Sequence, residues 1–173
     1  IQLREKNDST ELFLQKARQL IEITEKYNVP LIINDHIEVA EKVNSAGIHV
    51  GNSDTPPTQL RQHPFIKNKM IGYSIEHLSQ LDNEQTVVSD YLGISPVFKT
   101  DTKTDTVTEW GLEGVSKIRQ LTEKPLVAIG SIHLGNAKAV IRAGADCLAV
   151  VSAICGADDP QKAAYELKNE ILK

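Results

Sequence analysis

Short apolar runs alternate with longer amphipathic stretches along almost the whole chain. The runs cover residues 1–4, 31–34, 47–50, 70–73, 91–94, 126–129 and 147–151. Each is rich in Ile, Val and Leu and lacks an in/out alternation, the pattern of strands buried on both faces of a parallel sheet. Between them, apolar residues recur at helical spacing. Leu12, Phe13, Ala17, Leu20, Ile21 and Thr24 form one stripe, with Ser9 or Thr10 available as its N-cap. Ile37, Ala40 and Val43 form a second, and Leu112, Val115, Ile118 and Leu121 a third. Ala137, Val140 and Ile141 form a fourth, and Asp159-Pro160 opens a last helix that turns Ala163, Ala164, Leu167 and Ile171 inward.

Seven strand–helix units predict repeated βαβ crossovers. The polar residues choose between an open doubly wound sheet and a closed barrel. Nearly every apolar run ends in a polar or glycine-containing signature, whereas an open sheet gathers its chemistry at one switch point. The expected fold is therefore α/β, a (β/α)₈ TIM barrel formed as a single domain over residues 1–173, with the first strand–helix unit missing from this chain.

Composition narrows the class further. The chain has 173 residues, 40% of them hydrophobic and 24% charged, as in globular proteins. The net charge of -4 argues against a nucleic-acid partner. No run approaches about 18 apolar residues, so no membrane partner is expected, and no signal segment is visible. Cys147 sits in an apolar run and is expected to be a buried strand residue. Cys147 and Cys155 do not have metal-site spacing and are expected to be reduced, as in a cytoplasmic protein.

Candidate chemistry lies at the run ends. Asp35 and Asp54 follow neighbouring strands, and paired carboxylates suit a hard cation that also takes phosphate oxygens. The competing roles are a helix cap for Asp35 and a turn before Pro56-Pro57 for Asp54. Arg4 and Lys6 alternate along the first run, so a strand there would point both to one side, suiting a diphosphate. The segment Thr100-Asp101-Thr102-Lys103 offers hydroxyls, backbone N–H groups and a cation to phosphate, or is an ordinary solvent loop. Gly130-Ser131 and Ser152-Ala153 end the last two strands, where barrels often hold phosphate, although Ser152 could instead cap a helix. His49 is expected to pack in the core, and His36, His63, His77 and His133 lack metal-site spacing. No arrangement points to a protein nucleophile.

Taken in series, these motifs resemble the thiamine phosphate synthase family. The resemblance rests on Gln2-Leu3-Arg4-Glu5-Lys6, Ile33-Asn34-Asp35, Gly47-Ile48-His49-Val50-Gly51 with Asp54, and Gly72-Tyr73-Ser74. It continues through the segment from Asp90 to Lys103, Ala128-Ile129-Gly130-Ser131-Ile132 with Asn136, and Ala143-Gly144-Ala145-Asp146 followed by Val151-Ser152. The family's pattern is altered at His36, Asn52, Ser95 and Ser131, the last a side chain that could crowd a phosphate.

The resemblance implies a Mg²⁺-dependent transferase. It would join a hydroxymethylpyrimidine diphosphate to a hydroxyethylthiazole phosphate, giving thiamine phosphate and pyrophosphate. It assigns Asp35 and Asp54 to the metal, and Gln2, Arg4 and Lys6 to the pyrimidine diphosphate. Thr100, Thr102, Gly130, Ser131, Val151 and Ser152 go to the thiazole phosphate, and Lys103 to the diphosphate. Asn34 and Ser74 would line the pyrimidine pocket or hold the metal. Arg4, Lys6, Ser74 and Lys103 are the expected catalytic set. A homo-oligomer is compatible with this assignment. Two alternatives keep the thiazole phosphate site: a thiazole tautomerase, whose pattern has a His where this chain has Ser95-Pro96-Val97-Phe98, and a non-catalytic binding protein.

Overall fold

The computed structural model describes residues 1–100 and 108–172. Parallel strands alternate with helices, and the chain divides into two compact units. One comprises Ile1–Ser74 with Asp82–Asp90, the other Ile75–Leu81 with Tyr91–Lys173.

The first unit holds β1 (Gln2–Leu3), α1 (Thr10–Lys26), β2 (Ile32–Asn34), α2 (Ile37–Lys42), β3 (Gly47–Val50), α3 (Pro57–Leu60), β4 (Met70–Ile75) and α4 (Glu84–Val88). Its strands pair in chain order, with Ile33 opposite Ile48 and Ile48 opposite Ile71. These three isoleucines are fully buried, each stabilising the fold by about 2 kcal/mol relative to exposure. Gly47 permits the close approach of β3 to β4: a Cβ there would lie 2.3 Å from the Met70 carbonyl oxygen. Helix α1 starts where Ser9 Oγ accepts the Leu12 N–H at 3.3 Å, and it buries Phe13, Ala17 and Thr24.

The second unit holds β5 (Tyr91–Ile94), α5 (Gly111–Leu121), β6 (Leu126–Ile129), α6 (Leu134–Arg142), β7 (Cys147–Ala149), α7 (Ser152–Cys155) and α8 (Pro160–Ile171). Strand β6 lies between β5 and β7. Asp159 caps α8 by accepting the Lys162 N–H at 2.9 Å, with Pro160 at the first helical position, as expected.

Three expectations change. Strand β1 ends at Leu3, so Arg4 and Lys6 belong to the loop after it and strand alternation does not set their directions. Cys147 is exposed, not buried, because β7 takes β6 as a partner on one side and has no second partner among the described residues. Leu12, Leu112 and Leu121 sit at the rims of their stripes and remain exposed. The short helices α3, α4 and α7 had no apolar stripe to announce them.

Each unit carries the same clamp at the N-terminal end of a strand. In the first, Arg61 Nε donates to the Val88 carbonyl at 2.9 Å and Arg61 Nη1 to the Lys69 carbonyl at 2.7 Å. Arg61 Nη2 pairs with Asp90 Oδ2 at 2.5 Å, and that oxygen also accepts the Ile71 N–H at 2.7 Å. In the second, Arg119 donates to the Thr122 and Lys124 carbonyls and pairs with Asp146 Oδ2 at 2.9 Å. Asp146 Oδ2 accepts the Leu126 N–H at 2.8 Å. Both aspartates immediately precede a strand in the chain, and each accepts the N–H near the start of an earlier one. Asp146→Ala removes the acceptor for a strand N–H and leaves Arg119 partly unpaired. It should cost about 2 kcal/mol, read as a lower urea midpoint with an unchanged m-value.

Candidate active site

The first unit gathers its polar residues at the C-terminal ends of its strands. Asn34, the last residue of β2, is buried and stands opposite His49 of β3. The chain then turns sharply: Asp35 has a left-handed φ of 62°, and its N–H donates to the His49 carbonyl at 2.9 Å. That backbone conformation costs a non-glycine residue energy and is held here by tertiary contacts. Its carboxylate accepts from the Lys6 ammonium and is hydrogen-bonded to Asp54. The helix cap is His36 instead, whose Nδ1 accepts the Val39 N–H at 3.4 Å while its ring meets Phe13 edge-on.

Asp54 closes the turn after β3, and its Oδ2 accepts the Gly51 N–H at 2.7 Å. Asp54 thus closes a turn that starts at Gly51, a different role from beginning the turn before Pro56-Pro57, and this role coexists with the contact to Asp35. Glu5, Lys6, Asn34, Asp35, His36 and Asp54 line a hollow of about 430 Å³, with Phe13 at its apolar wall.

Burial pushes the Asp35 carboxyl up to about 6; the hydrogen bond with Asp54 adds to this and Lys6 opposes it. Burial also pushes Asp54 upward, but the hydrogen bonds from Asp35 and the Gly51 N–H, with the charges of Lys6 and His49, outweigh it. Asp54 is therefore held below the ordinary carboxylate range. Two adjacent carboxyl groups that share one proton show this divergence. A cation could take the place of that proton. The donors are hard oxygens, which fit Mg²⁺. Among the described residues no three His, Cys, Asp or Glu side chains converge as a metal site. Two carboxylates still suffice for a cation whose remaining ligands are water and phosphate.

His49 is buried, as expected, but it does more than pack. Its Nε2 lies 2.8 Å from Ser74 Oγ of β4, so the two fix each other's direction. The signal was present in the sequence: His49 is the next-to-last residue of a buried run, where a polar ring needs a partner. Gln2 is exposed on β1, and Arg4 is exposed just beyond it. Tyr73 donates its hydroxyl hydrogen to Asn52 Oδ1 at 2.6 Å, which gives the altered position Asn52 a fixed partner.

The second unit holds the remaining candidates. Gly130 is buried with φ 113°, and a Cβ there would lie 2.6 Å from Pro96 Cβ. Ser131 also has a left-handed φ, 47°, and its hydroxyl donates to the Lys99 carbonyl at 2.5 Å. The Val97 N–H donates to the Ile129 carbonyl at 2.7 Å, holding the segment after β5 against the end of β6. Val151 and Ser152 are exposed at the start of α7, and Ser152 is the helix's first residue, not its side-chain cap. Thr100 is half-buried. Thr102 and Lys103 lie outside the described residues.

The comparisons with known proteins agree with these motifs. The family model described as thiamine monophosphate synthase matches residues 1–154. A thiamine-phosphate synthase of Albidiferax ferrireducens is 48% identical over 171 residues, 99% of this chain and 78% of that protein. One from Chloroflexus aurantiacus is 44% identical, covering 97% of this chain and 77% of that protein. The solved thiamine phosphate pyrophosphorylase of Pyrococcus furiosus superposes with a TM-score of 0.88 at 33% identity, over 99% of this chain and 81% of that one. The fold class is therefore α/β of the TIM-barrel type, and the chain belongs to the thiamine monophosphate synthase family.

Proposed function

We propose that the chain is a transferase that joins a hydroxymethylpyrimidine diphosphate to a hydroxyethylthiazole phosphate, releasing pyrophosphate and forming thiamine phosphate. The observation that carries this is the Lys6–Asp35–Asp54 cluster, whose residues fall within the family's motifs, with Arg4 exposed two residues before Lys6. The match from residue 1 to residue 154 supports treating the chain as a single catalytic domain.

Asp35 and Asp54 would hold Mg²⁺, which when bound supplies positive charge to the leaving pyrophosphate. Arg4 and Lys6 would bind the diphosphate and stabilise the charge that grows on it as the carbon–oxygen bond breaks. Gln2 and Asn34 would bind the pyrimidine substrate. Ser74, directed by His49, would face the same substrate as a hydrogen-bonding partner. The electron-rich aminopyrimidine can carry the resulting benzyl-like cation, which the thiazole nitrogen then attacks, so no protein nucleophile is needed. In the second unit Thr100, Gly130, Ser131, Val151 and Ser152 would serve the thiazole phosphate. Ser131 is compatible with this because its hydroxyl is occupied by the Lys99 carbonyl. Thr102 and Lys103 keep the roles the family resemblance implies: Thr102 with the thiazole phosphate, Lys103 with the diphosphate. Two free, exposed cysteines favour a reducing compartment, the cytoplasm.

Pyrophosphate release from the two substrates tests the assignment. It should require Mg²⁺ and the thiazole phosphate, and should fall about 100-fold or more in Asp35→Asn. Absence of release by folded wild type would leave a tautomerase or a binding protein. The same variant should melt at a higher temperature without metal, because it removes one of two adjacent carboxylates.

The Asp35 shift also sets a pH dependence. Its folded value is raised above that of the unfolded chain, so between about pH 4 and 6 the folded state binds the proton more tightly. Metal-free stability should therefore fall as pH rises through that window. Mg²⁺ affinity should run the other way, weakening about tenfold per pH unit below about 6 as the proton competes for the site. Calorimetric titration of Mg²⁺ at pH 5, 6 and 7.5 measures this; a flat profile would show that the carboxyl pair does not hold the ion.

A further inference from the structure

Lys16 lies outside the motifs that carry the family resemblance. It stands on the second turn of α1, and its ammonium reaches back to the loop that joins β1 to that helix. Lys16 Nζ is 2.8 Å from Glu5 Oε1 and 2.7 Å from Asp8 Oδ2. Asp8 Oδ2 is shut off from solvent, so the Lys16 ammonium is what offsets its charge. These two acids flank Lys6 in the chain, and Glu5 lines the same hollow as Lys6, Asp35 and Asp54. A loop meant to receive a diphosphate thus carries two acids, enough to cancel the charge of Arg4 and Lys6. Left unpaired, Glu5 would compete for the Lys6 ammonium and repel an incoming anion.

We propose that Lys16 is a positioning residue of the diphosphate subsite: it draws Glu5 and Asp8 back against α1 and leaves Lys6 to Asp35 and the substrate anion. Lys16 touches no substrate in this arrangement; it acts through the two acids. The inference rests on the functional assignment above, in which Lys6 binds the diphosphate. Two contacts from one ammonium also fix the loop at both sides of Lys6, so the direction of Lys6 follows from the anchoring of its neighbours.

The test uses the full chain with Mg²⁺, inorganic pyrophosphate binding by calorimetry and steady-state kinetics with both substrates. Lys16→Met should weaken pyrophosphate binding about tenfold and raise KM for the pyrimidine diphosphate equally. KM for the thiazole phosphate should not change. Lys16→Arg should stay close to wild type. Adding Glu5→Gln and Asp8→Asn to Lys16→Met should restore most of the affinity, which a purely structural tether would not allow, since the neutral side chains have no ammonium to bind. Unchanged pyrophosphate affinity in folded Lys16→Met would overturn the proposal, as would a loss that neutralising both acids fails to relieve. If Lys16→Met does not fold, Lys16→Gln takes its place with the same expectations. Wild type that neither binds pyrophosphate nor turns over would instead overturn the functional assignment, so the two failures are distinguishable.

Discussion

Two carboxyl groups in hydrogen-bond contact cannot both be ionised cheaply unless positive charge is brought to them. That constraint organises the first unit. Asp35 is forced into contact with Asp54 by a left-handed backbone residue whose N–H is fixed to the neighbouring strand. Asp54 is fixed from the other side by the Gly51 N–H. Asp54 cannot swing away without losing the Gly51 N–H, nor Asp35 without losing the Lys6 ammonium. The charge must therefore be met in place by Lys6, a shared proton or a divalent cation. The protein supplies only part of the charge the pair requires, which is the ground for the cation proposed there.

Rigid strands make this possible. Asn34, His49 and Ser74 end or nearly end three paired strands, and their register decides which polar groups meet. The isoleucines beneath them are packed without solvent contact, so the polar layer rests on a surface that does not give. The groups proposed to meet the diphosphate, Arg4 and Lys6, sit instead on a loop beyond β1.

Much of this was legible in the sequence, for identifiable reasons. Three of the apolar runs begin and end where β3, β5 and β6 do, and a fourth begins with β4, because strands buried on both faces leave an uninterrupted apolar signal. The helix starts at Ser9 and Asp159 were legible from capping chemistry. Asp35 and Asp54 were found as a pair from their places at strand ends. What escaped was tertiary. The pairing of Lys16 with Glu5 and Asp8, which joins the loop around Lys6 to α1, is encoded by no strand alternation. The exposure of Cys147 depends on what pairs with β7, and a local apolar run carries no such information. His36 took over the cap that Asp35 could have made, since Asp35 was already engaged with Lys6 and Asp54.

The repeated Arg–Asp clamp has a consequence for how this protein can change. Arg61 with Asp90, and Arg119 with Asp146, secure the ends of strands opposite to those that carry the chemistry. Loops on the reactive side can thus be lengthened, shortened or exchanged while strand alignment is preserved from below. New substrate preferences can be sampled by altering one face without renegotiating the architecture from which both faces hang. A clamp in each unit makes that tolerance a property of the repeating element, available separately to the loops of each unit.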